Sequence, residues 1–372
     1  MDGPRQVRKE EVGDLVDMLS DVFPFRDWYS RDYMVPRMSR ARSRRETLVI
    51  AEDGRPVSHI RTVYNNLSIY GCRVKVASIG SVGTHRDHRG RGYAGAILQQ
   101  TMKQMVERGA KVLIVSGDRS LYRRAHCAPA GRLYKAEVRR SDLEERASDL
   151  HVRRVQPDEW PLLAPIHQAE PVRFVRDVQF FSKLVFWWDS QYPQIWAVES
   201  DGRPVAYASL ILVWGKESET QRRVAAEYAG SRAALMDALP ALFEAADLQL
   251  ISLEVLGHDA ELLHLLRRRG ISPTLGTLSG THRILDLPGL MRRLRPYLAA
   301  RLPRPEMRRL RFDQSGDQCI VSYGDERIQC TLSEAAPLVL GGPGAPEVTG
   351  ELERVLSAIF PIPFPTPGFN YI

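Results

Sequence analysis

Two arginines and two glycines stand side by side at Arg89-Gly90-Arg91-Gly92, directly before a helix-like stretch that begins at Tyr93. Glycine lets the backbone adopt left-handed conformations and approach a ligand closely. The first N–H groups of a helix have no partner within it, and the helix dipole is positive at that end. Arginine adds charge-assisted hydrogen bonds. These residue types and this spacing predict a binding site for a diphosphate.

The elements on either side of this loop fit that prediction. Residues 74–84 are rich in small and β-branched side chains, which indicates a strand, and residues 111–117 indicate a second buried strand. Between them, apolar residues recur at helical spacing. This helical stripe consists of Ala94, Ile97, Leu98, Met102 and Met105. The predicted unit is therefore strand, basic glycine-rich loop, helix, strand.

A dinucleotide site is the alternative for the same loop, because Gly90, Gly92 and Gly95 spell G-x-G-x-x-G. That fingerprint requires a strand that ends against the first glycine and an acidic residue about twenty positions later. Here the polar stretch HRDHR (85–89) intervenes, and Asp118 lies too far along the chain. The pattern therefore disfavours a nicotinamide or flavin cofactor.

The segment from Arg89 to Ala94 resembles the R/Q-x-x-G-x-G/A signature of the GNAT superfamily of N-acetyltransferases, and the resemblance covers roughly residues 5–140. It implies a mixed central sheet flanked by helices, with acetyl-CoA as co-substrate and no metal. It also implies that the strand bulges near residues 79–83, so that backbone N–H groups hold the thioester oxygen. The implied acetyl-CoA-binding residues are Val82, Gly83, Thr84, Arg89, Gly90, Arg91, Gly92, Tyr93 and Ala94.

An internal repeat divides the chain. Asp-Gly-Arg-Pro-Val occurs between two apolar runs at 53–57 and again at 201–205, and each copy reads as a β-hairpin. We expect a catalytic unit over 1–145, a second, degenerate unit over 146–285, and a small α+β unit over 286–372. In the second copy the strand at 224–229 runs almost directly into a helix. We therefore expect this copy to bind no acetyl-CoA.

The three-part layout resembles the enhanced intracellular survival (Eis) acetyltransferases, which have two GNAT regions and a C-terminal sterol-carrier-like domain. The resemblance implies a homo-oligomer, a hexamer in that family. It also implies Tyr122 as general acid and the C-terminal carboxylate, here that of Ile372, as general base. This chain ends in Asn-Tyr-Ile where the family usually has Phe. His85 and His88 are weaker candidates for the base.

The segment 22–34 follows the first predicted helix and, in this fold, covers the acceptor pocket. Phe25, Trp28 and Tyr29 are candidates to line it, and Asp27 to attract a cationic amine. The alternatives are that these aromatic residues belong to the core and that Arg26 pairs with Asp27. We expect the acceptor to be a primary amine of a small cationic molecule. An acetyl-CoA- or lipid-binding sensor without turnover and a protein N-acetyltransferase are the competing functions.

Composition narrows the class of protein further. The chain has 372 residues, a net charge of +7 and 44% hydrophobic residues, which is typical of globular proteins. Arginine supplies most of the positive charge, and we expect no nucleic-acid partner. No apolar run is long enough to cross a membrane. The four cysteines form no C-x-x-C pair, which favours the cytoplasm and disfavours zinc; Cys127 reads as a structural thiol.

Overall fold

The computed structural model describes residues 1–23, 30–144, 149–184, 194–214 and 221–370. They form two seven-stranded sheets and one three-stranded sheet, with helices packed on the sheet faces. This arrangement confirms the expected mixed α/β fold class. Within these ranges, every helix is too short or too polar to span a bilayer.

The first unit contains the glycine-rich loop, between its fourth strand and its fourth helix. Its strands are β1 (Asp2–Gln6), β2 (Thr47–Glu52), β3 (Arg55–Ile69), β4 (Cys72–Thr84) and β5 (Val112–Val115). Its helices are α1 (Val12–Val22), α2 (Arg31–Met38), α3 (Ala41–Arg45), α4 (Tyr93–Glu107) and α5 (Ser120–Arg124).

The second unit follows along the chain, and all but one of its strands form the second sheet. Its strands are β6 (Leu133–Arg139), β7 (His151–Arg154), β8 (Val172–Phe174), β9 (Gln194–Ser200), β10 (Arg203–Trp214), β11 (Gln221–Gly230), β12 (Leu250–Leu256) and β13 (Thr274–Gly276). Its helices are α6 (Ala164–Ala169), α7 (Val178–Leu184), α8 (Arg232–Asp237), α9 (Leu239–Ala245) and α10 (Ala260–Arg268).

The two predicted hairpins have the same turn. Asp53 and Gly54 have φ of +49° and +76°, and Asp201 and Gly202 have +51° and +70°. Two consecutive left-handed residues match the right-handed twist of the flanking strands, and Asp-Gly is a favoured pair for such turns. The turns join β2 to β3 and β9 to β10, so the repeated pentapeptide marks the same place in both sheets.

The two sheets exchange strands. The first has the order β1-β2-β3-β4-β5-β14, with β8 paired to β3, and the second has the order β13-β6-β12-β11-β10-β9-β7. Strand β6 therefore lies in the second sheet, while β14 (Thr281–Ile284) returns to pair antiparallel with β5. The boundaries expected from the sequence, at 145 and 285, do not separate the two sheets. Strand β6 precedes residue 145 but belongs to the second sheet, and β14 follows residue 145 but belongs to the first.

The third unit is small and α+β, as expected. Its helices are α11 (Leu287–Arg293), α12 (Arg295–Ala299), α13 (Arg304–Arg309), α14 (Leu332–Leu340) and α15 (Gly350–Ile359). Its strands are β15 (Leu310–Ser315), β16 (Gln318–Tyr323) and β17 (Glu326–Thr331). The predicted apolar stripe at Leu290, Leu294, Leu298 and Leu302 is buried. Pro296 begins a new helical segment, so the single helix expected over 287–302 is two short ones.

The first sheet is covered differently on its two faces. Alternate residues of β3 to β5 share one apolar cluster with Ile97 and Leu98 of α4. The other alternate residues, including Val76 and Ile114, share a cluster with the third unit. Helix α1 packs on β3 and β4 as well. The ends of β4 and β5 thus lie between α4 on one side and the third unit with α1 on the other.

Candidate active site

The glycine-rich loop has the backbone geometry of an anion site. Gly90 and Gly92 both have φ of +79°, and Gly92 is the N-cap of α4. A Cβ added at either glycine would meet no atom within 4 Å, so the backbone conformation, not crowding, requires glycine. The first bond of α4 runs from the Ala96 N–H to the Gly92 carbonyl at 3.1 Å. The N–H groups of Tyr93, Ala94 and Gly95 precede that bond, as at any helix start.

The two arginines of the loop have different partners. Arg89 donates from Nε to the Thr84 carbonyl at 3.2 Å. Arg91 donates to Glu52 at 3.1 Å and to the Asp87 carbonyl at 3.2 Å. A bound diphosphate would compete with Glu52 for the Arg91 guanidinium.

Glu52 was not identified from the sequence. It ends β2 and accepts a hydrogen bond from the Tyr93 hydroxyl, which lowers the pKa of its carboxyl group. His88 also contacts it, with Nδ1 3.0 Å from the carboxylate. Glu52 lies far from the loop along the chain and next to a hairpin turn, where an acidic residue carries no distinctive signal. In the fold it links β2 to the loop and to the first turn of α4.

Strands β4 and β5 separate at the loop end. Their parallel pairing stops at Ile79 opposite Val115, and β4 continues to Thr84 paired with β3 but no longer with β5. The pairing of β4 with β3 shifts register between Gly80 and Gly83, so the expected bulge is present. Ser81, not a glycine, takes the left-handed conformation there, with φ of +52°. The N–H groups of residues 82–84 therefore lie beyond the last pair with β5.

Tyr122 lies beside this separation. It is buried on α5, in the same apolar cluster as Ile79 and Val115, the last pair of the ladder. Burial raises the pKa of its phenol, against an opposing effect of Arg119. Among the described residues its hydroxyl has no hydrogen-bond partner. A protonated phenol with an uncommitted hydroxyl is what a general acid requires.

The surroundings of two other reactive side chains, Cys127 and His85, indicate structural roles. Burial raises the pKa of the Cys127 thiol to about 12, so it stays protonated and is a poor nucleophile. The His85 ring accepts a hydrogen bond from the Asp87 N–H at 3.4 Å, on the solvent side of the loop. Within the described ranges, no cluster of three or more His, Cys, Asp or Glu residues has the arrangement of a metal site.

The acceptor side is described in part. The expected pocket residues Phe25, Asp27, Trp28 and Tyr29 and the expected base Ile372 lie outside the described residues. On that side, α1 packs on the bulge, since a Cβ at Gly83 would lie 3.4 Å from Leu19. Further along β3, Arg61, Val63 and Asn65 are half-buried and alternate away from the face that α4 covers.

The C-terminal segment packs against the rest of the protein as far as Asn370. Phe369 and Asn370 are buried. The Asn370 side chain donates to the Asn65 amide oxygen on β3 at 3.2 Å. The last described residue is thus in contact with the half-buried face of the first sheet.

This geometry agrees with the family match. Residues 4–130 match the model of the acetyltransferase (GNAT) domain. The first unit is therefore similar to a GNAT acetyltransferase domain over almost all of its length. The match ends before β6, the strand that leaves for the second sheet. No curated protein matches the chain significantly by sequence.

The GNAT fold extends along the whole chain. Eis1 from Mycobacterium abscessus aligns with a TM-score of 0.66 at 14% identity, covering 99% of each chain. A GCN5-related N-acetyltransferase from Anabaena variabilis aligns at 0.67 and 14%, covering 96% of this chain and 98% of that one. One from Kribbella flavida aligns at 0.66 and 16%, with 97% and 98% covered. At these identities the likeness establishes the fold.

A carboxylate lies next to the corresponding helix start in the second unit, where Ser231 is the N-cap of α8. There Glu170 accepts from the Gly230 N–H at 2.8 Å, just before α8. Arg232, the first residue of α8, donates two hydrogen bonds to Glu170 at 2.6 and 2.7 Å and one to Asp259 at 2.8 Å. In the second unit, the chain therefore enters α8 beside an ion pair formed by the protein's own side chains.

Proposed function

We propose that the chain is an acetyl-CoA-dependent N-acetyltransferase in which the acceptor amine attacks the thioester directly within a ternary complex. The observation that carries the proposal is the separation of β4 from β5 next to the open start of α4. The glycine-rich loop and Arg91 would hold the diphosphate, and residues 82–84 would present N–H groups to the thioester oxygen. The Glu170–Arg232 ion pair beside the start of α8 supports one acetyl-CoA site per chain.

In the proposed reaction the amine nitrogen bonds to the acetyl carbon and the carbon–sulfur bond breaks. A base takes the proton from nitrogen, and the thiolate receives a proton from Tyr122. The ordinary pKa of a thiol, about 8.5, is lower than that of a phenol, about 10, and burial of Tyr122 widens the gap. A dry pocket disfavours the phenolate as well as the thiolate, so this proton transfer is uphill, and Tyr122 regains its proton from solvent as the products leave. On the Eis resemblance, we propose the carboxylate of Ile372 as the base.

We propose a small cationic molecule with a primary amine as the acceptor, bound by the segment that contains Phe25, Asp27, Trp28 and Tyr29. On the resemblance alone, we also propose a sterol-carrier-like third unit, a homo-oligomer and a cytoplasmic location. The face of β3 that carries Arg61 and Val63 supports an acceptor site on this side, since these residues are half-buried next to the bulge.

The decisive experiment combines calorimetry with turnover. Coenzyme A titrated into the protein should release heat with a stoichiometry of one per chain. Acetyl-CoA and a panel of polyamines, aminoglycoside-like amines, lysine peptides and protein N-termini should then be compared by thiol release. Turnover of small amines supports the proposal. Turnover of peptides alone would identify a protein acetyltransferase. Coenzyme A binding without turnover would identify a sensor, and no binding would refute the site.

A further inference from the structure

A buried ion pair lies in the second unit, away from the acetyl-CoA loop. Arg176, 3% exposed, follows β8, and Glu227 is on β11. The guanidinium forks onto the carboxylate with two hydrogen bonds, at 2.6 and 2.8 Å. Burial raises the pKa of Glu227, but the charge and hydrogen bonds of Arg176 outweigh it and lower the pKa to about 2. The pair is therefore ionised at any physiological pH.

Neighbouring side chains fix the pair on the side of the second unit. The Tyr207 hydroxyl donates to Glu227 at 2.8 Å and lies 3.4 Å from His167 Nδ1. His167 contacts the Phe174 carbonyl through Nε2 at 2.8 Å. Burial lowers the pKa of His167 to about 4, so its ring is neutral. The Tyr207 hydroxyl contacts only Oε1 of Glu227. Oε2 of Glu227 and Nε of Arg176 can therefore form hydrogen bonds with another segment.

The C-terminal segment takes that other side. Arg176 donates from Nε to the Asn370 amide oxygen at 2.7 Å and from Nη2 to the Pro367 carbonyl at 3.5 Å. The Phe369 N–H donates to Glu227 at 3.1 Å. The Phe369 ring lies 5.3 Å from the guanidinium carbon.

The backbone of Gly368 lies so close to Glu227 that no side chain fits between them. A Cβ there would lie 1.9 Å from a carboxylate oxygen of Glu227. Residues 367–370 thus contact both members of the pair through backbone and side chain. The segment also contacts the first sheet through Asn65.

The other buried ion cluster of this unit behaves differently. Arg232 is bonded to Glu170, Asp259 and the Gly230 carbonyl, all within the second unit. A buried pair of charges contributes little net stability compared with apolar packing, but it imposes a specific geometry on what it contacts. For the Arg176–Glu227 pair, that partner is a segment from the end of the chain.

We propose that Arg176 and Glu227 are positioning residues that hold residues 367–370 in one orientation, and with them the point from which the chain continues to Ile372. The role of the degenerate repeat would then be to anchor this segment. The catalytic consequence rests on the proposed function, because the carboxylate of Ile372 is the base proposed there. The positioning itself does not depend on it.

Gly368→Ala tests the proposal while leaving both charged residues in place. Its Cβ must displace the segment from Glu227. Gly316→Ala is the matched control, since Gly316 also has a left-handed φ, +57° against +49°, but nothing lies within 4 Å of its added Cβ. Both variants bear the same kind of backbone penalty. Only Gly368→Ala loses the contact.

The first readout is carboxypeptidase digestion of the folded full-length chain, followed by intact mass. We expect Gly368→Ala to lose its terminal residues about tenfold faster than the wild type or Gly316→Ala, because local opening becomes easier. Arg176→Lys and Asn370→Ala should show the same direction. Equal digestion rates for all variants would overturn the proposal whether or not the protein turns over acetyl-CoA.

The second readout is turnover with the best amine. We expect kcat for Gly368→Ala to fall by about 10²-fold, as for a misplaced catalytic group, with the KM for acetyl-CoA unchanged. Faster digestion with normal kcat would show that the pair anchors the segment without serving catalysis, and would overturn the catalytic part. Slow turnover of the wild type with every amine would instead count against the proposed function.

Discussion

Replacement of Tyr122 by Phe separates the proposed acid from its structural role. The phenol ring fills an apolar cluster with Ile79 and Val115, and Phe retains that packing. Because the hydroxyl has no partner among the described residues, its removal breaks no hydrogen bond there. We therefore expect the free energy of unfolding to change by less than about 1 kcal/mol.

The kinetic effect should be much larger than the effect on stability. General acid catalysis contributes about 10²- to 10⁴-fold to a rate. A loss of 10²-fold in kcat corresponds to about 2.7 kcal/mol of transition-state stabilisation. Acetyl-CoA affinity should be unchanged, because the hydroxyl faces the sulfur and not the diphosphate in the proposed complex.

The assay is thiol release under saturating acetyl-CoA, with thermal unfolding on the same samples. Tyr134→Phe on β6 is the control, since that tyrosine lies in the second sheet. In the wild type, the raised pKa of Tyr122 places the loss of the acid above pH 10, so kcat should not fall between pH 7 and 9 for this reason. Turnover of Tyr122→Phe within threefold of the wild type would remove Tyr122 from the acid role.

Three further predictions concern charge. Arg91→Ala should weaken coenzyme A binding about 10- to 100-fold by calorimetry. Arg86→Ala is the control, because this side chain in the same loop is 83% exposed, and it should change the affinity by no more than about twofold. Equal effects of the two variants would contradict a specific contact of Arg91. The folded state lowers the pKa of Glu227 to about 2. Its ionised form should therefore contribute about 3 kcal/mol of stability above pH 4.5, and this contribution should be lost as the pH falls towards 2. In urea titrations, Glu227→Gln should lack this acid dependence of the free energy of unfolding. Coenzyme A should bind once per chain. Glu170→Gln should not add a second site, because an amide oxygen can still accept from the Gly230 N–H beside α8. Two equivalents would refute the assignment.

Local sequence patterns were enough to predict the loop and its surroundings. The stripe that includes Ile97 and Leu98 faces the sheet, because a helix of 3.6 residues per turn places such positions on one side. The Asp-Gly turns form as predicted, because the requirement for left-handed residues is itself local. The glycines at 90 and 92 are required by their own φ angles. Each of these features is decided within a few residues.

Features decided by distant residues were missed. The alternation in β6 predicts one buried face but carries no information on which sheet supplies the neighbouring strand, so the exchange with β14 was not anticipated. The ion pair of Arg176 and Glu227 joins two elements that are distant in sequence. A single charged residue does not indicate its partner, so the pair could not be predicted. The bulge expected near residues 79–83 is present, but no sequence signal marks Ser81 as its left-handed residue.

Corresponding positions of the two repeats have different roles. Counted from the Asp-Gly turns, His59 on β3 and Tyr207 on β10 occupy corresponding positions. His59 is buried beside the bulge, where burial and Arg61 lower its pKa to about 3. Tyr207 donates to Glu227 and so supports the C-terminal segment. In the second unit, the residue at this position therefore supports a contact with the protein's own C-terminal segment, because Glu227 also accepts from the Phe369 N–H. The same position of the repeat thus carries a buried neutral ring near the bulge of one sheet and a hydroxyl that supports an internal contact in the other.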